Sequence, residues 1–414
     1  MSINRILGLA AMIVVARQAN ATNGYFLEGY GTNSKAQAGV AIALPQDSLT
    51  VATNPAGLTA VADGITFGVE VFRPRRDATL DQDGRAEEFD GNGTRTFYLP
   101  EFGFSRHVGD RIAWGVALYG NGGLDTNYGS NPYARFGARG SAGVDLQQAF
   151  LTPALSVKIN DSNSLGVALN VAYQRFEAKG IGLFANFSEA PDDVSNRAHD
   201  DSTGAGIRLG WLGTLNDYVR VGASWQSKTH MGRFDKYSGL FADGGSFDIP
   251  ESYGLGLAVR PTPALAIGLD WQRILYSAVP AVGNGLESLF AGVPLGASDG
   301  PGFGWRDISV VKLGGSYAIS ETVTLRAGAS KSQQPVPASQ TFFNILAPGV
   351  IETHLTAGGS WKLGDRNEIS LAWLHAFKKT VNGSGSIPSA FGGGEANVSL
   401  QEDSLAVSFS HGLK

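Results

Sequence analysis

TNGYFLEGYGTNSKAQAGVAIALPQDSLTVATNPAGLTAVA, residues 22–62, is rich in small residues and shows little two-residue periodicity. Its large side chains gather near the start, at Tyr25, Phe26, Leu27 and Tyr30. From Ile65 onward the character changes to alternating segments separated by turns. A compact, non-strand stretch ahead of a long strand series predicts a plug filling the inside of a β-barrel.

The strands are legible from their period. Ile65, Phe67, Val69 and Val71 share one face, with Thr66, Gly68 and Glu70 on the other. The same alternation recurs at Ile112 to Leu118, Leu165 to Tyr173, Leu255 to Val259, Leu265 to Trp271 and Leu405 to Phe409. In a water-soluble sandwich the apolar face would point inward. In an outer-membrane barrel it meets lipid, while a face of Gly, Ala, Ser and charge lines the lumen.

Connection lengths separate the two. Short turns at 107–110, 160–163, 216–217, 261–263, 320–321 and 364–367 alternate with long loops at 73–94, 120–145, 177–203, 228–248, 277–304, 332–351 and 379–397. A membrane barrel has short periplasmic turns and longer external loops; a sandwich has no reason to sort them. The expectation is an all-β membrane protein, a 14-stranded antiparallel transmembrane β-barrel with an N-terminal hatch in the lumen. Its strands are placed near 64–75, 95–107, 111–121, 146–159, 164–176, 204–215, 218–229, 249–260, 264–276, 305–319, 322–332, 352–363, 368–379 and 398–410.

Composition fits. The 414 residues include 56 Gly, no Cys and 17% charged residues, and mean hydropathy is −0.04. No run of about 18 apolar residues follows the N-terminus, which excludes helical spans but not a barrel. Residues 1–21 read as a signal peptide, with Arg5, an apolar core and Ala19-Asn20-Ala21 as cleavage site, which implies export to a bacterial outer membrane. Without Arg5 and Arg17 the chain holds 30 basic and 37 acidic residues, a charge of −7 that argues against nucleic acid as partner. The division expected is 1–21 signal peptide, 22–62 hatch and 63–414 barrel.

Asp47-Ser48 followed by Asn54-Pro55-Ala56-Gly57-Leu58 resembles the N-terminal hatch of the FadL/TodX family, outer-membrane channels for long-chain fatty acids and hydrocarbons. The similarity continues at Tyr119-Gly120, Gly123-Leu124 and Tyr128, at Leu151 to Leu155, at Pro250 with Ser252 to Val259, and from Pro335 through Leu355 to Trp361. It covers nearly the whole mature chain. The resemblance implies fourteen strands, a monomer, a substrate groove between two external loops and an inward kink in the third strand that opens the wall sideways. It assigns the groove to Leu183, Phe184, Phe187, Phe234, Leu240 and Phe241; packing of the loops against one another is the competing role. Asn54, Pro55 and Ala56 form the hatch turn near the kink, which falls on Gly120, Gly122 and Gly123 unless those glycines only mark a turn. The chain departs from the common barrel pattern by ending in Lys414 rather than on an aromatic, with Phe409 as the last aromatic.

Alternation turns Lys312 toward the lumen, and by a similar argument Arg326 and Arg175. Such a cation would meet a fatty-acid carboxylate or an acid of the plug, since buried charge is costly without a partner. Tyr25, Phe26, Leu27 and Tyr30 would offer a lumen pocket for a ligand tail or pack the plug. No catalytic constellation is visible: the six His are scattered, and no zinc-protease, nucleophile-elbow or phosphate-loop motif occurs. Neither a metal nor a cofactor is expected. Acid pairs such as Asp192-Asp193 fall in external loops, as solvated charge. The function expected is passive, non-enzymatic uptake of hydrophobic small molecules by docking at the loop groove, transfer to the lumen pocket and lateral release, with outer-membrane lipid and lipopolysaccharide as surroundings. The alternative is a general porin for small polar solutes, which would not be expected to carry a plug of about forty residues or apolar loops.

Overall fold

The computed structural model describes residues 22–413, so the expected signal peptide lies outside the described residues. Fourteen long strands form one closed antiparallel barrel: β1 Gly64–Gln82, β2 Phe97–Val108, β3 Ile112–Tyr128, β4 Ala142–Asn160, β5 Asn163–Lys179, β6 Asp200–Asn216, β7 Val219–Gln226, β8 Ser252–Thr262, β9 Leu265–Ile274, β10 Ile308–Ala318, β11 Val323–Ser332, β12 Thr353–Leu363, β13 Asn367–Val381 and β14 Glu395–Gly412. Each pairs with its neighbour in sequence, and β14 closes on β1 from Glu395–Asp81 to Gly412–Gly64. Closure pairs every strand with two neighbours along at least part of its length, the arrangement by which a sheet spans a bilayer.

The wall is apolar outside and polar inside. Phe67, Leu255, Leu313 and Leu405 are each more than half exposed, whereas Thr66, Glu70, Arg208, Lys312 and Glu402 are buried. Such an exterior is stable only against hydrocarbon. Short turns join β2 to β3 and β12 to β13, with Gly109 (φ 64°) and Gly364 (φ 73°) in the left-handed conformation that glycine adopts without strain.

Several strands outrun the expected bounds. The stretch expected as loop 73–94 continues β1 to Gln82 and returns through Arg85–Asp90, which pairs with it. There the alternation inverts: Arg73 and Arg75 are exposed while Phe72, Ala78 and Leu80 are buried. β5 inverts likewise, which corrects the placement of Arg175. It lies on the outer face, 3.5 Å from Asp201 Oδ1, because above the lipid the outside is water and the inside is filled by loops. β14 runs on to Gly412, and Phe409 faces outward, 43% exposed.

Residues 22–62 lie against the inward face of the barrel. They contain a two-residue hairpin (Thr22–Asn23 with Phe26–Leu27), a helical turn Thr32–Lys35 and two 3₁₀ turns, Ser48–Ala52 and Pro55–Ala60. Asp47 and Asn54 cap the two 3₁₀ turns by accepting from the amides of Leu49 and Ala56, and Pro55 at the first position has no amide to leave unpaired.

Candidate functional site: the inner cavity, the wall seam and the aromatic loops

Polar side chains of the wall hold the N-terminal segment. Lys35 Nζ lies 2.8 Å from Glu70 Oε2 on β1 and 3.1 Å from Glu101 Oε2 on β2, all buried. Burial alone would lower the proton affinity of the ammonium, but Glu101 and Glu70 outweigh it and hold the Lys35 pKa above its ordinary value. Glu101 also accepts from Gly31 N (3.2 Å) and Thr32 Oγ1 (3.3 Å). Asn54 Nδ2 donates to Trp211 O (2.9 Å) of β6 and to Ile42 O (2.8 Å). Ser156 of β4 donates to Ala56 O, so the Asn54, Pro55, Ala56 turn is seated on the wall.

Between this segment and β6–β10 lies a cavity bordered by Phe26, Leu27 and Tyr30 on one side and Arg208, Asp270 and Lys312 on the other. Lys312 is inward and buried, as alternation predicts. Its Nζ donates to the backbone carbonyl of Glu28 at 2.5 Å, and it pairs in register with Asp270 of the neighbouring strand. Asp270 Oδ2 in turn accepts from the amides of Ala41 (2.8 Å) and Ile42 (2.9 Å). Arg208 donates to Gln226 Oε1 and to Val51 O. Sequence reasoning missed Arg208, although exposed Ile207 and Leu209 on either side signal its inward direction. Arg326 also faces inward but sits apart from the cavity, donating to Ser360 Oγ at 2.9 Å with Asp47 and Glu368 as the carboxylates acting on it. Tyr25 meets Tyr276 and Trp305 from an external loop, and Phe26 meets Tyr276, in tilted and edge-on contacts at ring separations of 5.2 to 5.9 Å; these two partners the sequence did not reveal.

The wall changes at the glycine run. The β3–β4 register shifts between Gly120 and Gly122, leaving Asn121 as a bulge. Among the described residues the β2–β3 ladder stops at Phe102–Leu118, and the remainder of β2 pairs only with β1. In place of β2, the N-terminal segment approaches β3: Phe26 pairs with Gly122, and Gly123 N donates to Tyr25 O at 3.1 Å. A Cβ on Gly122 would lie 1.8 Å from Tyr25 O, so only glycine allows this approach. Above the break the wall rejoins through Gly93 N to Asn127 O (2.9 Å). Arg76, in the stretch expected as loop, fills the seam. Its Nη1 donates to Asp125 Oδ1 (2.6 Å) and O (2.7 Å), its Nη2 donates to Thr94 O, and its guanidinium lies 5.6 Å from the Phe97 ring centre.

The loop residues fall into two ring clusters. Phe234 and Phe241 are buried with Phe176, Tyr237 and Phe247, and Leu240 is buried nearby. Phe184 is buried against Tyr133, Phe342, Phe343 and Phe391. Leu183 and Phe187 remain partly accessible, and Phe187 meets Phe290 (6.4 Å) and Phe391 (6.1 Å). The two loops touch through Ser188 Oγ donating to Gly239 O (2.6 Å). The accessible apolar surface in these loops therefore includes Leu183, Phe187, Phe290 and Phe391. Phe391, alone among glycines, gave no signal in the sequence.

Comparison with known proteins places this architecture. A long-chain fatty acid transport protein of Escherichia coli O6:H1 is 24% identical over 400 residues, covering 84% of this chain and 86% of that protein. The crystal structure of a Pseudomonas aeruginosa FadL homologue superposes with a TM-score of 0.73 at 17% identity, covering 94% of this chain and all of the other. That of the Pseudomonas putida toluene transporter TodX gives a TM-score of 0.67 at 18% identity, covering 93% and 99%. The model of the outer membrane protein transport protein family (OMPP1/FadL/TodX) matches residues 12–410. The chain is an outer-membrane β-barrel and belongs to the OMPP1/FadL/TodX family of transport proteins.

Proposed function

We propose that the protein is a monomeric, passive channel for hydrophobic compounds, and that its preferred cargo is a long-chain monocarboxylate. The molecule arrives from the lipopolysaccharide surface, docks on Leu183, Phe187, Phe290 and Phe391, and passes to the cavity beside Phe26, Leu27 and Tyr30. It leaves through the seam between β2 and β3 into the bilayer. Residues 22–62 act as the hatch that denies the axial path to polar solutes.

The observation that carries this reading is the interrupted β2–β3 ladder, with the N-terminal segment docked at the break. A water-filled axial pore serves an apolar solute poorly, because each Å² of its surface gains about 25 cal/mol outside water. The preference for a carboxylate rests on Arg208 and Lys312, which line the cavity with Asp270 across from Phe26 and Tyr30, while Asp270 is held by the Ala41 and Ile42 amides. The E. coli relative, a long-chain fatty acid transport protein, agrees; the P. putida neighbour TodX, a toluene transporter, suggests the second reading, in which the two cations have no use.

The test is uptake by a deletion strain carrying the wild-type chain or the Arg208→Gln, Lys312→Met pair. Oleate uptake is expected to depend on the protein and to fall in the pair, with toluene uptake unchanged. Equal loss of both would remove the head-group role; wild-type oleate uptake in the deletion strain would remove the function.

A further inference from the structure

We infer that the outer wall binds the phosphates of lipid A, the membrane anchor of lipopolysaccharide, at Arg73, Arg75 and Arg95. The transport route uses none of the three. The outward face of β1 runs Ile65, Phe67, Val69, Val71 and then turns abruptly to Arg73 and Arg75, both exposed. With a strand tilt near 40°, eight residues climb about 20 Å, so Arg73 stands at the top of a lipid-facing band about 25 Å tall. This is the long-loop end of the barrel, hence the phosphate level of the outer leaflet.

Arg95 joins them from the connection into β2. The recess between the three is lined also by Asn92, Thr96 and Asp403. Nearby acids are engaged elsewhere. Asp403 Oδ1 lies 2.7 Å from His375 Nδ1, Asp77 Oδ2 lies 3.5 Å from Lys378 Nζ, and Asp90 Oδ1 accepts from Asn92 N at 2.8 Å. Arg95 reaches Asp90 only at 3.9 Å, in water. No described carboxylate lies within ion-pair distance of Arg73 or Arg75. By contrast Arg175, Lys179, Arg273 and Lys331, at the same rim, are each paired with an acid. Three guanidinium forks above an apolar wall match a ligand with phosphate groups over several acyl chains. The planar fork takes two phosphate oxygens at once, and a phosphomonoester carries more charge than the phosphodiester of a phospholipid.

The experiment is native mass spectrometry of the full-length protein in detergent, titrated with lipid A, dephosphorylated lipid A and phosphatidylglycerol. Wild type is expected to bind lipid A in preference to both others. At about fivefold per arginine, the Arg73→Gln, Arg75→Gln, Arg95→Gln triple should lose about a hundredfold in affinity. Arg75→Gln alone, which tests the site should the triple not assemble, should lose about fivefold. A periplasmic-end control, Lys362→Gln with Arg366→Gln, should lose nothing. Lipid A binding within twofold of wild type in the outer variants, equal loss in the control, or equal binding of dephosphorylated lipid A would overturn the site.

Discussion

Lys35→Met tests how residues 22–62 are held. Lys35 lies between Glu70 and Glu101, and the side chains of all three are at most 6% exposed. Removing one partner of a buried ion pair costs about 3 to 5 kcal/mol because the other charge is stranded. Glu101 keeps the Gly31 amide and the Thr32 hydroxyl, but Glu70 Oε2 has only the ammonium beside it. Because the donors that stay on Glu101 soften the loss, the lower end is taken, about 3 kcal/mol, a shift of about 150-fold in the docked-to-undocked ratio. The readout is hydrogen exchange of the Lys35 and Ala36 amides, which donate to Gly31 O and Thr32 O, in the full chain in detergent. They should exchange about a hundredfold faster in the variant, with strand amides unchanged. Adding Glu70→Gln and Glu101→Gln should restore most of the protection, because no stranded charge remains. Exchange within threefold of wild type in Lys35→Met would refute the idea that this network anchors the segment.

Burial pushes the Asp47 carboxyl up to about 6, although the Leu49 amide opposes the shift. A raised carboxyl pKa means that the docked state holds the proton more tightly than the free chain. Docking should therefore strengthen as pH falls from about 6 toward 4, between the docked and the free value, and Asp47→Asn should flatten that profile in Leu49 amide exchange. Gly122→Val should expel the hairpin from the seam, since its first side-chain carbon would lie 1.8 Å from Tyr25 O; faster exchange of the Gly123 amide checks it. Phe391→Ser should weaken oleate docking while leaving the barrel's heat-modifiable mobility intact, because the rings its side chain meets, among them Phe187 and Phe290, belong to loops, and its bond to β1 is made by its backbone carbonyl.

The lower halves of strands such as Ile65 to Val71 and Leu165 to Tyr173 were readable because lipid outside and polar filling inside impose a strict period of two. The upper halves were not, because above the lipid the preference inverts. Water bathes Arg73, Arg75 and Arg175, while Phe72, Leu80 and Phe176 turn inward beneath the loops. A reader following apolar-out ends β1 too early and turns Arg175 the wrong way. Lys312 was legible from Val311 and Leu313 on either side; Arg208 had the same signal from Ile207 and Leu209. Arg76 was hidden because it fell in the misread stretch. The glycine run at 120–123 marked a break, but that Phe26 fills it depends on a pairing nearly a hundred residues apart in sequence.

The central claim is that cargo leaves sideways where the wall is broken. Deleting Asn121, the bulge residue, should let β3 continue its pairing to β2 above Leu118 and seal the seam without changing the cavity's cations or the aromatic loops. The decisive quantity is the rate of oleate uptake by cells carrying that deletion, at matched levels of folded protein. The account predicts a fall to the background of the strain lacking the channel; uptake at the wild-type rate would contradict it.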